Sequence, residues 1–159
     1  CKYPAVSGGI SRFCSLYSVH NRMLEKYPEL LNRLYAPMHF DRQAEHAPDA
    51  PKTALAPFFS YDGTRLTARA NVSLVRKGYE VAELELEPEL ADALEAVETV
   101  GNQPEFWLEQ PIERGHLQYL NNVGLGHYRS HFEDHKNPEK KRHLIRTWHR
   151  DAGGRNYDG

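Results

Sequence analysis

The chain of 159 residues has little cysteine and almost no net charge, and it contains no long apolar run. Its two cysteines, Cys1 and Cys14, form no cluster of the kind that holds a metal ion. Free thiols are usual in a reducing cytoplasm, so we expect a cytoplasmic protein. A disulfide between the two cysteines is the alternative.

Charge and hydropathy also argue against two classes of partner. Lys and Arg number 20 and Asp and Glu 22, which gives a net charge of -2 at pH 7. This balance offers no electrostatic attraction to nucleic acid or to an anionic membrane surface. No apolar run is long enough to span a bilayer, and no internal repeat is visible. The length suits one domain with its own core.

The most informative stretch runs from Gly115 to Arg150. Apolar and polar residues alternate over 117–121, which predicts a strand. A second predicted strand, 125–129, carries His127. In a third predicted strand, 141–150, every second side chain lies on the same face. The residues on that face are Arg142, Leu144, Arg146 and Trp148.

The interpretation of the third strand depends on whether the face that carries its two arginines points into the fold or into solvent. A guanidinium that points into a fold needs an anionic partner. Inward arginines beside a histidine therefore indicate a pocket for a carboxylate near a metal. The alternative, which the pattern leaves open, is a strand whose arginines face solvent.

The remaining segments alternate between strands, helices and turns. We expect a strand over 7–17 that begins with two glycines, and then two short helices, of which the first has Ser18 as its N-cap. An Asp-Gly turn predicts a hairpin, and a stripe of apolar residues predicts a longer helix that starts at a proline. The segments are helices over 19–26 and 28–35, an irregular loop over 38–57, a hairpin over 58–69, a helix over 87–100 and a strand over 106–109.

Several groups of residues in the informative stretch resemble the TauD/TfdA family of Fe(II)- and 2-oxoglutarate-dependent dioxygenases, and its clavaminate synthase-like branch in particular. The groups are Gly115, Gln118, Leu120, Asn121 and Asn122, then His127 and Arg129, then 132–134, and finally 142–146. The resemblance implies a mainly β fold with inserted helices, the double-stranded β-helix of the jelly-roll group. Residues 1–150 would be the C-terminal portion of such a domain, and 151–159 a flexible tail.

The resemblance also implies roles for particular residues. His127 corresponds to the distal histidine ligand of the iron. Arg142 corresponds to the arginine that binds the far carboxylate of 2-oxoglutarate, and Ser11 to a hydroxyl residue that contacts the same co-substrate. Arg146, Asn122 and Arg69 are expected to contact the substrate. For Ser11 and Arg69 the alternatives are an ordinary strand serine and an exposed arginine.

The function implied is the oxidation, most simply the hydroxylation, of a small molecule with O2, while 2-oxoglutarate is decarboxylated to succinate. The arginines indicate a substrate with a carboxylate, such as an amino acid derivative. The family's proximal His-x-Asp or His-x-Glu motif is not found before Ser7, so we expect it upstream of Cys1. Two alternatives stay open: a non-catalytic jelly-roll module without iron, and a complete iron site made of His39, Asp41 and His127.

Overall fold

Four helices bury their apolar stripes in one core in this computed structural model, which describes residues 1–43 and 46–149. The helices are α1 (Leu16–Lys26), α2 (Pro28–Arg33), α3 (Val72–Val81) and α4 (Pro88–Gly101). The predicted tail, 151–159, lies outside the described residues. Within those residues no helix has both the length and the apolar character that crossing a bilayer requires.

The longest helix, α4, follows the predicted pattern. Pro88 occupies its first turn, where a missing N–H costs nothing. Leu90, Leu94 and Val97 recur at helical spacing, and all three are buried. The periodicity of the sequence therefore identified the side of α4 that packs on α1 and α2.

Helix α1 begins earlier than predicted. Its N-cap is Ser15, whose hydroxyl accepts a hydrogen bond of 3.3 Å from the backbone N–H of Ser18. The assignment of Ser18 as the cap was therefore wrong. Leu16, the first residue of α1, is 5% exposed and belongs to the core.

Nine short strands and two 3-10 helices, Pro104–Phe106 and Pro138–Lys140, make up the rest of the regular structure within the described residues. The fold is therefore rich in β-structure with helices, as predicted in outline. The strands are β1 (Ser7–Gly8), β2 (Ser11–Ser15), β3 (Met38–Asp41), β4 (Thr53–Ala56), β5 (Phe59–Tyr61), β6 (Leu66–Ala68), β7 (Trp107–Gln110), β8 (Leu125–Arg129) and β9 (Phe132–Glu133). One sheet has the order β7-β2-β8 with both pairings antiparallel. The other pairs are β1-β9, β3-β4 and β5-β6.

Two segments differ from the sequence prediction because a strand needs a partner. Residues 117–121 are not a strand, and Leu117 and Tyr119 are 93% and 78% exposed. In 141–149 a single bridge, between His143 and Tyr3, replaces the predicted strand. Alternation alone predicted both strands, but no described strand hydrogen-bonds along either segment.

The predicted irregular loop, 38–57, instead contains the β3-β4 hairpin. Met38 and Phe40 are fully buried, and β3 packs against α3, a helix that the sequence analysis did not identify. The contact is very close at Gly78, where a Cβ would lie 2.4 Å from the carbonyl oxygen of His39. Glycine at this position lets the helix backbone approach the strand backbone.

We therefore predict that Gly78→Ala destabilises the whole protein by about 1–3 kcal/mol, because a methyl group would overlap backbone atoms that have little room to move. Gly101→Ala is the matched control, since the space around Gly101 is open and its φ is not positive. The control should leave stability unchanged or raise it by about 0.5–1 kcal/mol. Urea unfolding of both variants measures the difference, and equal midpoints would contradict the close approach.

Candidate functional site

One face of the three-stranded sheet carries two of the predicted site residues, Ser11 and His127. In the β2-β8 register Ser11 lies opposite Arg129 and Phe13 opposite His127. Residues directly opposite each other in an antiparallel pair point to the same side of the sheet. Ser11, His127 and Arg129 therefore share one face, and Ser11 is the most enclosed of the three, with 9% of its surface exposed.

The opposite face of this sheet is held by a separate set of contacts. The Arg12 guanidinium lies 4.3 Å from the centre of the Trp107 ring and 6.0 Å from that of Tyr128, and it pairs with Glu109. Cys14, on the same side, packs against the hydrophobic core. Arg12 and Cys14 are therefore on one side of the sheet, and Ser11 and His127 are on the other.

The predicted metal ligand, His127, is exposed and has one side-chain partner. Its Nε2 atom lies 3.0 Å from Oδ1 of Asn122. Asn122 belongs to the turn before β8, which is closed by hydrogen bonds from the N–H groups of Gly124 and Leu125 to the carbonyl oxygen of Asn121. The turn therefore places an amide oxygen where it holds the orientation of the His127 ring.

Arg69 lies near this turn because the residue before it is hydrogen-bonded to the turn. The N–H of the preceding residue, Ala68, donates a hydrogen bond of 2.9 Å to the carbonyl oxygen of Val123. The half-buried Arg69 side chain has its guanidinium 4.7 Å from the centre of the Phe40 ring. The structure thus brings β6 to the Asn122 turn and places the Arg69 guanidinium over the core aromatic ring of β3.

Arg142 lies at the other end of the sheet, against Gly9, two positions before Ser11. A Cβ on Gly9 would be 3.3 Å from the Arg142 Nε atom. The guanidinium carbon lies 5.2 Å from the centre of the Phe132 ring. Its backbone N–H donates a hydrogen bond of 2.7 Å to Oδ1 of Asp134. Arg142 is therefore half-buried at the Ser11 end of β2, although it is not part of a strand.

The electrostatic surroundings of Arg142 are unfavourable for a cation. Burial lowers the pKa of the Arg142 guanidinium, the charge of Arg129 lowers this pKa further, and Asp134 raises it. Both main effects disfavour the charged form. Arg142 is thus a partly desolvated cation next to a second cation, a setting that an anion would stabilise.

Arg129 is the residue at this end of the sheet for which the sequence analysis predicted no role. Its guanidinium carbon lies 4.3 Å from the centre of the same Phe132 ring. A signal was present, because Arg129 follows His127 by two positions in a strand and must therefore share its face. Arg146, by contrast, is exposed and lies 4.9 Å from the ring centre of Trp148, which is itself 60% exposed.

Residues 1–43 and 46–149 contain no group of three His, Cys, Asp or Glu side chains arranged to hold a metal ion. His39 instead has its Nδ1 atom 3.0 Å from Oγ1 of Thr53, and its ring meets Tyr79 edge-on. Asp41 accepts a hydrogen bond of 2.8 Å from the backbone of Gln43. The hypothesis that His39, Asp41 and His127 form a complete iron site was therefore wrong.

Comparison with known proteins identifies the class. The model of the family "Taurine catabolism dioxygenase TauD, TfdA family" matches residues 1–148. The chain belongs to the TauD/TfdA family, as the sequence resemblance indicated. It is 28% identical over 148 residues to the taurine hydroxylase-like protein SAT17 of Stachybotrys chartarum (strain CBS 109288 / IBT 7711). That match covers 92% of this chain and 37% of the relative, so the chain spans little more than a third of the relative's length.

Proposed function

We propose that this chain is the C-terminal portion, residues 1–150, of an Fe(II)- and 2-oxoglutarate-dependent dioxygenase with a double-stranded β-helix fold. One observation carries the proposal. Ser11 and His127 lie on one face of the β2-β8 pair, and Arg142 packs against Gly9 at the Ser11 end of that pair. A histidine on the strand pair and a guanidinium packed against its other end suit a ligand with two different ends.

The co-substrate 2-oxoglutarate fits the cationic end of the site, which is the Ser11 end of the β2-β8 pair where Arg142 lies. A guanidinium offers a planar pair of N–H donors that match a carboxylate. Arg142 is half-buried and, within the described residues, forms no ion pair, so its donors are available to the far carboxylate of 2-oxoglutarate. The Ser11 hydroxyl is an additional donor to the same group.

The iron fits only in part. His127 presents an exposed imidazole, and Asn122 fixes the orientation of its ring, as hydrogen-bonded partners of metal ligands do. Family members use two histidines and one carboxylate, and the described residues supply one of the three. We assign the other two ligands, the His-x-Asp or His-x-Glu pair, to the rest of the whole protein. When bound, the iron would supply oxygen activation coupled to decarboxylation of 2-oxoglutarate.

For the substrate we propose a small anionic molecule, such as a carboxylate-bearing amino acid derivative, that is hydroxylated. The exposed guanidinium of Arg146 supports this proposal, as do Arg69 and Asn122 beside the His127 turn. The relative's printed name, taurine hydroxylase-like, agrees with an amino acid-like anion as substrate.

His127→Ala in the whole protein should abolish iron-dependent formation of succinate from 2-oxoglutarate, because one of three iron ligands is lost. His116→Ala is the control, since His116 is exposed and its side chain contacts Glu113, away from this face. Iron content and succinate are measured for both variants. Full iron content and activity in His127→Ala would refute the metal assignment, and absence of succinate from the wild type would favour the non-catalytic jelly-roll module.

Arg142→Ala should raise the KM for 2-oxoglutarate at least about tenfold, because a charge-assisted hydrogen bond to a carboxylate contributes about 1.5–3 kcal/mol. Arg65→Gln, in the exposed β5-β6 turn, is the control and should leave KM unchanged. Succinate formation at varied 2-oxoglutarate measures both. An unchanged KM in Arg142→Ala would contradict its proposed role.

Arg146→Gln should raise the KM for an anionic substrate about tenfold and leave the KM for 2-oxoglutarate unchanged, because the charge is proposed to face the substrate only. The assay compares succinate formation with amino acids, small acids and their neutral amides as substrates. Equal preference for acids and amides by the wild type would overturn the proposed substrate class.

A further inference from the structure

Two guanidinium groups, those of Arg129 and Arg142, meet at one aromatic ring. Their central carbons lie 4.3 Å and 5.2 Å from the centre of Phe132. Ring stacking stabilises each cation only weakly at a partly exposed site. Two like charges that share one ring also repel each other, so the ring alone does not account for the pair.

The carboxylates of the neighbouring loop compensate this pair only in part, since the charge of Asp134 acts on Arg142 without forming an ion pair with it. Asp134 accepts from the backbone N–H of Arg142, and Glu133 accepts from the Ser7 hydroxyl. Within residues 1–43 and 46–149 neither Arg129 nor Arg142 forms an ion pair within 4.0 Å. Two adjacent cations without a carboxylate partner form a site that is ready to accept an anion.

The strand geometry places this anion site at a defined distance from His127. Arg129 and His127 are two residues apart on one face of β8, and a strand rises about 3.3 Å per residue. The two side chains thus leave the strand roughly 6.6 Å apart. Ser11 lies opposite Arg129 on the same face, and Arg142 shares the Phe132 ring with Arg129, so all three residues lie at the end of β2-β8 distant from His127.

We propose that Arg129 is a second co-substrate-binding residue, which acts together with Arg142 on the far carboxylate of the dicarboxylate. This inference rests on the proposed function, and it adds a residue to the site. A carboxylate has about four lone-pair positions, so it accepts from two guanidinium groups and the Ser11 hydroxyl at once. The spacing along β8 favours a five-carbon diacid over a shorter one.

The experiment uses glutarate, a five-carbon diacid without the oxo group, as a probe of the cationic end alone. Its Kd is measured by calorimetry on the whole metal-free protein, for the wild type and for Arg129→Gln, Arg129→Lys, Arg142→Gln and Arg65→Gln. Arg129→Gln should weaken binding about tenfold and Arg129→Lys less, because lysine keeps the charge without the fork. Arg65→Gln should match the wild type.

Two further measurements separate binding from folding and from turnover. Thermal unfolding of each variant checks the fold, and if Arg129→Gln does not fold, Arg129→Lys and the salt dependence of wild-type binding carry the test. In succinate assays Arg129→Gln should raise the KM for 2-oxoglutarate about tenfold with kcat nearly unchanged, because uniform binding energy is lost.

The outcomes separate this inference from the proposed function. If Arg129→Gln binds glutarate as the wild type does, while Arg142→Gln does not, the inference is overturned and the dioxygenase proposal stands. If glutarate binding depends on both arginines but the protein forms no succinate, the two-arginine site stands and the dioxygenase proposal fails. If the wild type binds neither glutarate nor 2-oxoglutarate, both are overturned.

Discussion

The antiparallel pairing of β2 with β8 is the constraint on which the site depends. It joins residues more than a hundred positions apart and sets Ser11 opposite Arg129 and Phe13 opposite His127. A slip of one residue would turn every one of these side chains to the other face. The register is reinforced beyond the strand by reciprocal bonds, since the Ser130 N–H donates to Ile10 and the Ile10 N–H donates to the Ser130 hydroxyl.

Glycine makes close contacts possible in this pairing and in the neighbouring β1-β9 pair. A Cβ on Gly126 would lie 2.7 Å from the Cys14 sulfur, and one on Gly8 would lie 2.1 Å from the carbonyl oxygen of His131. Gly8 and Gly9 both have a φ of 69°, a backbone conformation that residues with a side chain adopt only with strain. The two glycines thus bend the chain before β2 and leave room for Arg142. The sequence shows two glycines before a strand, and the structure shows which neighbouring atoms leave no room for a side chain there.

Local patterns predicted those elements whose signal lies in adjacent residues. The α4 stripe, the β5-β6 hairpin around Asp62-Gly63 and strand β8 are confirmed. Segments 117–121 and 141–149 alternate as strands do, yet a strand depends on a partner that alternation does not reveal. The same limit explains the error at 38–57, because the prolines and polar residues of its middle concealed a hairpin at its ends.

For the site, the resemblance identified residue types, and the register supplied their arrangement. The sequence was sufficient to identify His127 and Arg142, but it does not give their positions in space, and a guanidinium binds a carboxylate only from a defined position. The structure places the Arg142 guanidinium beside Gly9 and the Phe132 ring. It also shows Arg129 there, which follows from the alternation of β8 once its face is known. Because the charge of Arg129 disfavours the charged form of Arg142, this pair of arginines does not by itself stabilise the fold, and we therefore attribute it to the proposed ligand rather than to folding.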